Sequence, residues 1–165
     1  MELIKKMGFL VFLFLMVGCS DMSRDSSNEQ AIESTKILEA INNNNILFES
    51  GSIKNLKTQE LANRYGIAVD DLKDGIIYFS TNENISDCII IATAKDKDAL
   101  EGIERALSSE IVSLSDSFKN NELESKKIEN HIFKTKNLTV LLAISDETYT
   151  YLIEDIFDNL LEPQI

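Results

Sequence analysis

Asp87-Cys88-Ile89-Ile90-Ile91-Ala92-Thr93-Ala94, followed after Lys95-Asp96 by the long stretch Lys97–Asn120, decides the fold of this chain. The octapeptide is apolar on both faces rather than alternating. That is the pattern of a central strand covered on both sides or poorly exposed to solvent. In Lys97–Asn120, Leu100, Ile103, Leu107, Ile111, Leu114 and Phe118 recur at spacings of three and four, while Glu101, Glu104, Arg105 and Glu110 fall off that stripe. The spacing predicts an amphipathic helix, with Asp96 placed to cap its first turn.

Downstream, the polar stretch Asn120–Lys127 reads as a connection, and two strand signals follow at Glu129–Thr135 and Leu138–Ile144. The short link Lys136-Asn137 between them is consistent with a hairpin. Leu152, Ile153, Ile156, Phe157, Leu160 and Leu161 mark a terminal amphipathic helix that Pro163 ends.

Upstream, Gly75 opens a strand over Ile76–Ser80, and the polar run Thr81–Asn84 connects it to Asp87–Ala94. Thr58 caps a short helix through Leu61 to Tyr65, with Gly66 where a left-handed residue is wanted, and Asp70-Asp71-Leu72 suggests one further turn. Ser27-Asn28-Glu29-Gln30 offers a capping box for a helix over Glu29–Ile41, ended by Asn42–Asn45. Ser50-Gly51-Ser52 reads as a loop. The expected fold is therefore α+β: a four-stranded, mainly antiparallel sheet in the order β-β-α-β-β-α, with helices packed on one face. One or two N-terminal helices precede it.

The N-terminus carries an address. Lys5 and Lys6 form a basic lead, Met7–Val17 is apolar apart from Gly8, and Gly18-Cys19-Ser20 closes the run. The apolar core is shorter than the ~20 residues a spanning helix needs, so the segment reads as a secretory signal peptide. Met16-Val17-Gly18-Cys19 resembles the lipobox of bacterial lipoproteins, with Met16 in place of the usual Leu. That resemblance implies cleavage between Gly18 and Cys19 and acylation of the Cys19 thiol. Two or three chains of the palmitate kind hold a domain stably where one does not. The expected organisation is residues 1–18 signal peptide, 19–28 lipidated Cys and flexible tether, and 29–165 a single α+β domain.

Removing residues 1–18 leaves 147 of 165 residues and makes the chain one unit more acidic than its formal −12. A chain near that length buries about 70% of its unfolded surface, enough for one domain with a real core. An acidic chain with no basic cluster is a poor partner for nucleic acid, whose phosphates are held by Lys and Arg. It is equally unsuited to lie on anionic headgroups, so the membrane partnership runs through the lipid on Cys19. With Cys19 acylated, Cys88 is the one remaining thiol and no internal disulfide forms.

The side chains that could carry chemistry are few. His131, the single histidine, falls in a predicted strand with no Gly-x-Ser-x-Gly elbow or comparable nucleophile motif in the chain. Cys88 has isoleucine neighbours, the opposite of the electropositive setting that activates a thiol. Asp70-Asp71 and Asp96-Asp98 suit turns and helix caps, Asp155-Asp158 a polar helix face, and none matches a calcium loop. The Asn84 and Asn137 triplets read as turn residues. No catalytic residue, metal ligand or cofactor is assigned, and the stripe from Leu100 to Phe118 reads as core rather than as a partner face.

The segment from Leu61 to Leu161 resembles the family called domain of unknown function 4358, common among lipoproteins of low-GC Gram-positive bacteria. The likeness rests on Arg64-Tyr65-Gly66-Ile67, on Asp70-Asp71-Leu72, and on Ile89–Ala94 running into Lys95-Asp96. It also takes in the helix of Leu100 to Phe118 and the strand Val140-Leu141-Leu142-Ala143-Ile144-Ser145 with its closing helix. Where the family has Ala-Asp-Glu-Ile entering the second strand, this chain has Ser86-Asp87-Cys88-Ile89, so any role of that Glu is lost at Cys88. The resemblance implies an uncharacterised envelope domain and brings no activity with it. The function expected is a lipid-anchored, extracytoplasmic, non-enzymatic binding domain at the bacterial cell membrane, its partner another envelope protein. An envelope hydrolase with a carboxylate-based site and a small-ligand carrier stand as alternatives.

Overall fold

In the computed structural model, which describes residues 32–46, 51–54 and 58–162, the isoleucines of the octapeptide divide between two cores. Ile90 and Ala92 point to one face of the sheet, and Ile89 and Ile91 point to the other. All seven residues of the strand Cys88–Ala94 are buried, which requires cover on both sides.

In chain order the elements are α1 (Ser34–Asn43), β1 (Gly51–Lys54), α2 (Thr58–Tyr65), a 3-10 turn (Val69–Asp71), β2 (Leu72–Ser80) and β3 (Cys88–Ala94). Then come α3 (Lys97–Phe118), α4 (Glu122–Glu129), β4 (Ile132–Lys136), β5 (Thr139–Ile144) and α5 (Glu147–Leu160). The strands form one antiparallel sheet in the order β1-β2-β3-β5-β4. Ile77 pairs with Ile90 and Ile90 with Leu142, so this row is apolar across the three inner strands.

The α+β class and the four expected strands are present, and two features differ from expectation. A fifth, short strand, β1, lies where a loop was expected, paired along β2 from Gly51↔Ser80 to Lys54↔Ile77. The helices, expected on one face, cover both. Leu61, Ile103, Leu107 and Ile128 of α2, α3 and α4 pack on Ile77, Ile90, Val140 and Leu142. Ile37, Ile41, Ile153 and Phe157 of α1 and α5 pack on Ile76, Ile89, Ile91 and Leu141. The reason is in β3 and β5 themselves, since a sheet with one solvated face alternates and these strands do not.

Three boundaries also move. α1 starts at Ser34 rather than Glu29, because Glu33 is extended and the helix start is capped from β2 by Asp74. The stretch read as a polar connection folds as α4 over Glu122–Glu129. Glu129 consequently ends a helix, and His131 precedes β4 instead of lying in it. Gly66 has φ +66°, the left-handed stop expected after α2. Residues 1–31 and Pro163, with the capping box, the tether, Gly18 and Cys19, lie outside the described residues.

Candidate functional site

The site is built around α4, whose position follows from its two ends. Asn121 accepts from the Glu124 N–H through Oδ1 at 3.4 Å, and its own N–H donates to the Phe118 carbonyl at 2.8 Å, so α4 turns tightly off α3. Ile128 buries against the core. Glu124, only 3% exposed, reaches the β2–β3 connection, where the Ser86 N–H and hydroxyl both donate to its Oε2 at 2.7 Å.

Lys127 completes this junction. Its Nζ lies 2.9 Å from Asp87 Oδ1, 3.2 Å from Glu124 Oε1 and 3.8 Å from Asp146 Oδ1. One ammonium thus ties α4 to the β2–β3 connection and to the β5–α5 corner. Burial pushes the Glu124 carboxyl up, but the Ser86 hydrogen bonds and Lys127 outweigh it and hold the group below its ordinary value. Burial likewise depresses Lys127, and its bonds to Asp87 and Glu124 reverse that and raise it. Asp87 is raised, because burial and the neighbouring carboxylates exceed what Lys127 returns.

A chain of depressions skirts α4. The first, about 660 Å³, lies between the end of α2, the C-terminal half of α3 and the β2–β3 connection. Ile77, Cys88 and Leu114 give it an apolar floor, and Asn82, Asn84 and Ser117 border it. At its mouth the exposed Arg64 guanidinium lies 5.2 Å from the Phe79 ring centre and 5.7 Å from that of Tyr65. Burial pushes the Tyr65 phenol well above its ordinary range in spite of Arg64.

Asn120 and Asn121 are shared with a shallower depression beside Glu122, Leu123 and Lys126. Leu123 and Lys126 in turn border a cleft of about 470 Å³ closed by Asp146, Glu147 and Tyr149. Asn130 and Glu147 lead on to a smaller one, about 200 Å³, holding His131 and Tyr151. Linked by these shared residues, the depressions form a broken groove around α4. Its far half carries large apolar side chains in solvent: Leu123 is 65% exposed, Tyr151 70% and Tyr149 40%.

The residues singled out from sequence fall in different places. Cys88 is buried in the floor of the first cleft, its thiol pushed up to about 12 by burial, with Glu110 and Asp87 adding to the effect. His131 is half-buried at the far end, Nδ1 2.6 Å from the Ile128 carbonyl oxygen. Asp96 caps α3 through Ala99, Asp71 pairs with the exposed Lys95, and Asp158 pairs with Lys134. Asn137 takes the left-handed conformation in the β4–β5 turn. Of the α3 stripe, Ile103 and Leu107 are core, while Leu114 and Phe118 reach the first cleft.

Sequence reasoning did not find the Arg64–Phe79 contact, the Ser86–Glu124–Lys127–Asp87 junction or the Leu123–Tyr149 surface. One signal was present: Asn121 followed three residues later by Glu124, ahead of Ile128, is a helix-start pattern. Among the described residues no three His, Cys, Asp or Glu side chains are grouped to hold a metal ion, and no helix is long and apolar enough to cross a membrane.

No curated protein and no solved structure matches the chain. The family model described as Domain of unknown function (DUF4358) matches residues 48–145, starting and stopping earlier than the 61–161 expected from sequence. The matched segment contains all five strands and α2 to α4, together with Glu124, Lys127 and Asp87 of the junction. The chain therefore belongs to the DUF4358 family, a domain of unknown function.

Proposed function

We propose that the protein is a lipoprotein held on the extracytoplasmic side of the cell membrane through Cys19, and that its domain is a non-enzymatic module binding another envelope protein at the groove around α4. The observation that carries the binding reading is the exposure of Leu123, Tyr149 and Tyr151 along one groove. Large apolar and tyrosine side chains left in solvent beside a concave surface are characteristic of protein contacts. The clefts are open and lined by amides, hydroxyls and charges as much as by apolar groups, which suits protein contact better than carriage of an apolar ligand. Asp87, which lines the first cleft, is committed to Lys127 and so is not poised as an acid or base.

The anchor is tested by growing cells with a clickable palmitate analogue. Label should enter the wild-type protein and be lost in Cys19→Ala; equal labelling of both removes the anchor. The binding reading is tested by photo-crosslinking in cells from position 123, with Glu101 on the outer side of α3 as the control position. One partner captured from 123 and absent from 101 supports it. The same background from both positions defeats it.

A further inference from the structure

The groove and its charges also bear on what kind of segment fits. Besides Asp87 and Glu154, which are paired with lysines, five carboxylates stand along it: Glu83 and Glu110 at the first cleft, Glu122 beside Leu123, and Asp146 and Glu147 at the second. Of the five, all but Glu110 are exposed. Three cations line the same path, Arg64, Lys126 and Lys127. Arg64 is held over the Phe79 and Tyr65 rings, and Lys127 is already engaged by Asp87, Glu124 and Asp146. Farther on, Glu154 is taken by Lys134. The groove therefore carries an excess of negative charge, set in a chain of formal charge −12.

Shape restricts the occupant further. The depressions follow one another along α4, whose eight residues span about 12 Å. An extended chain advances about 3.3 Å per residue, so about four residues would run beside α4 alone. Leu123, Tyr149 and Tyr151 are spaced along that path and provide apolar contacts between the charges. A helix would need one wide trough, whereas linked shallow clefts receive successive side chains of an extended strand.

We propose that the groove around α4 binds an extended, basic segment of the partner protein, in which Lys or Arg side chains meet Glu122 and Glu147 and intervening apolar side chains rest against Leu123 and Tyr149. This rests on the interaction reading above and adds the partner's chemistry. Opposite charge on the two sides speeds encounter and excludes acidic competitors, a fitting filter for a strongly acidic domain.

The test uses the full-length lipidated protein in non-ionic detergent, with fluorescence polarisation of a labelled peptide of repeating Lys-Ser-Leu and a counterpart of repeating Glu-Ser-Leu. Empty micelles give the baseline. The basic peptide should bind about tenfold or more tightly than the acidic one at low salt, with the difference shrinking as salt is added. The double variant Glu122→Lys/Glu147→Lys should lose about tenfold in affinity. Glu39→Lys/Glu101→Lys makes the same change of charge on exposed positions away from the groove and should lose little.

Equal binding of the two peptides, or equal loss in the two double variants, overturns the proposal. If position 123 still captures a partner in cells while the peptides bind alike, this inference falls and the interaction reading stands. If neither capture nor peptide binding is seen, both fall.

Discussion

Asp74 Oδ2 on β2 accepts a hydrogen bond from the Ser34 backbone N–H at 2.7 Å, so the start of α1 is capped by a residue forty positions downstream. Glu33, at the local capping position, makes no side-chain bond to the helix. Asp74→Ala should cost about 1 kcal/mol, with faster hydrogen exchange in the first turn of α1. The Ser34 hydroxyl is buried without a partner among the described residues, so Ser34→Ala should be neutral or stabilise by up to about 1 kcal/mol. A loss for Asp74→Ala and none for Ser34→Ala is the expected result in urea titrations, and a costly Ser34→Ala would contradict it.

Glu124→Gln should destabilise by about 3 kcal/mol, because it weakens a buried pair and leaves Lys127 with less compensation. Asp87→Asn should cost less, since burial already disfavours that charge. The pH dependences run in opposite senses. Glu124 is lowered in the folded state, so its contribution is present above the ordinary glutamate range and is lost as pH falls through the lowered value. Asp87 is raised, so its contribution is present below the ordinary aspartate range and is lost as pH rises through the raised value. The gap between wild type and Glu124→Gln should therefore narrow in acid; a constant gap would show that Glu124 acts through shape alone.

A Cβ on Gly75 would stand 2.7 Å from Leu61 Cδ1 and 3.4 Å from the Ile91 carbonyl oxygen. Leu61 is fully buried between α2 and the sheet, so it has little room to move aside. Gly75→Ala should cost about 1–3 kcal/mol by overpacking. Adding Leu61→Ala should remove part of that cost, giving a double variant less destabilised than the sum of the singles. Strict additivity would show that the two sites do not meet.

The Cys88 thiol is buried in the floor of the first cleft, and burial pushes its pKa up to about 12, which keeps it protonated at neutral pH. In the Cys19→Ala variant Cys88 is the chain's one cysteine. A maleimide should then label the native protein far more slowly than the urea-unfolded protein. Comparable rates would show that the floor of the first cleft leaves the Cys88 thiol open to solvent.

The parts of the fold legible in sequence are those decided locally. Cys88–Ala94 announces a covered strand because no polar residue but Thr93 interrupts it, and α3 announces itself by its stripe and the Asp96 cap. Gly66 and Asn137 sit where a left-handed conformation is needed. The rest depends on distant partners. Gly51–Lys54 has one apolar residue in four and is a strand only because β2 offers it an edge. Glu124 and Lys127 look solvated in sequence, yet each buries the other, and a buried ion pair is spelled with the same letters as a surface one. The groove was the least legible, because Leu123 and Tyr149 come to line one cleft only after β5 has returned the chain beside α4.

The sheet order has a kinetic consequence. β2 pairs with β3, and β4 with β5, across short connections, while the seam between the two pairs joins Ile91 to Leu141, fifty residues on. Closing so long a loop adds only slowly to the entropic cost, but contacts of high sequence separation slow the approach to the native state. The two hairpins are thus expected to form early and to zip together late, once α3 and α4 have brought their edges into register. Ile91→Val in the seam should mainly speed unfolding, whereas Leu138→Ala beside the Asn137 turn should mainly slow folding. Stopped-flow measurements would separate the two, and the reverse pattern would make the central seam the nucleus of the sheet.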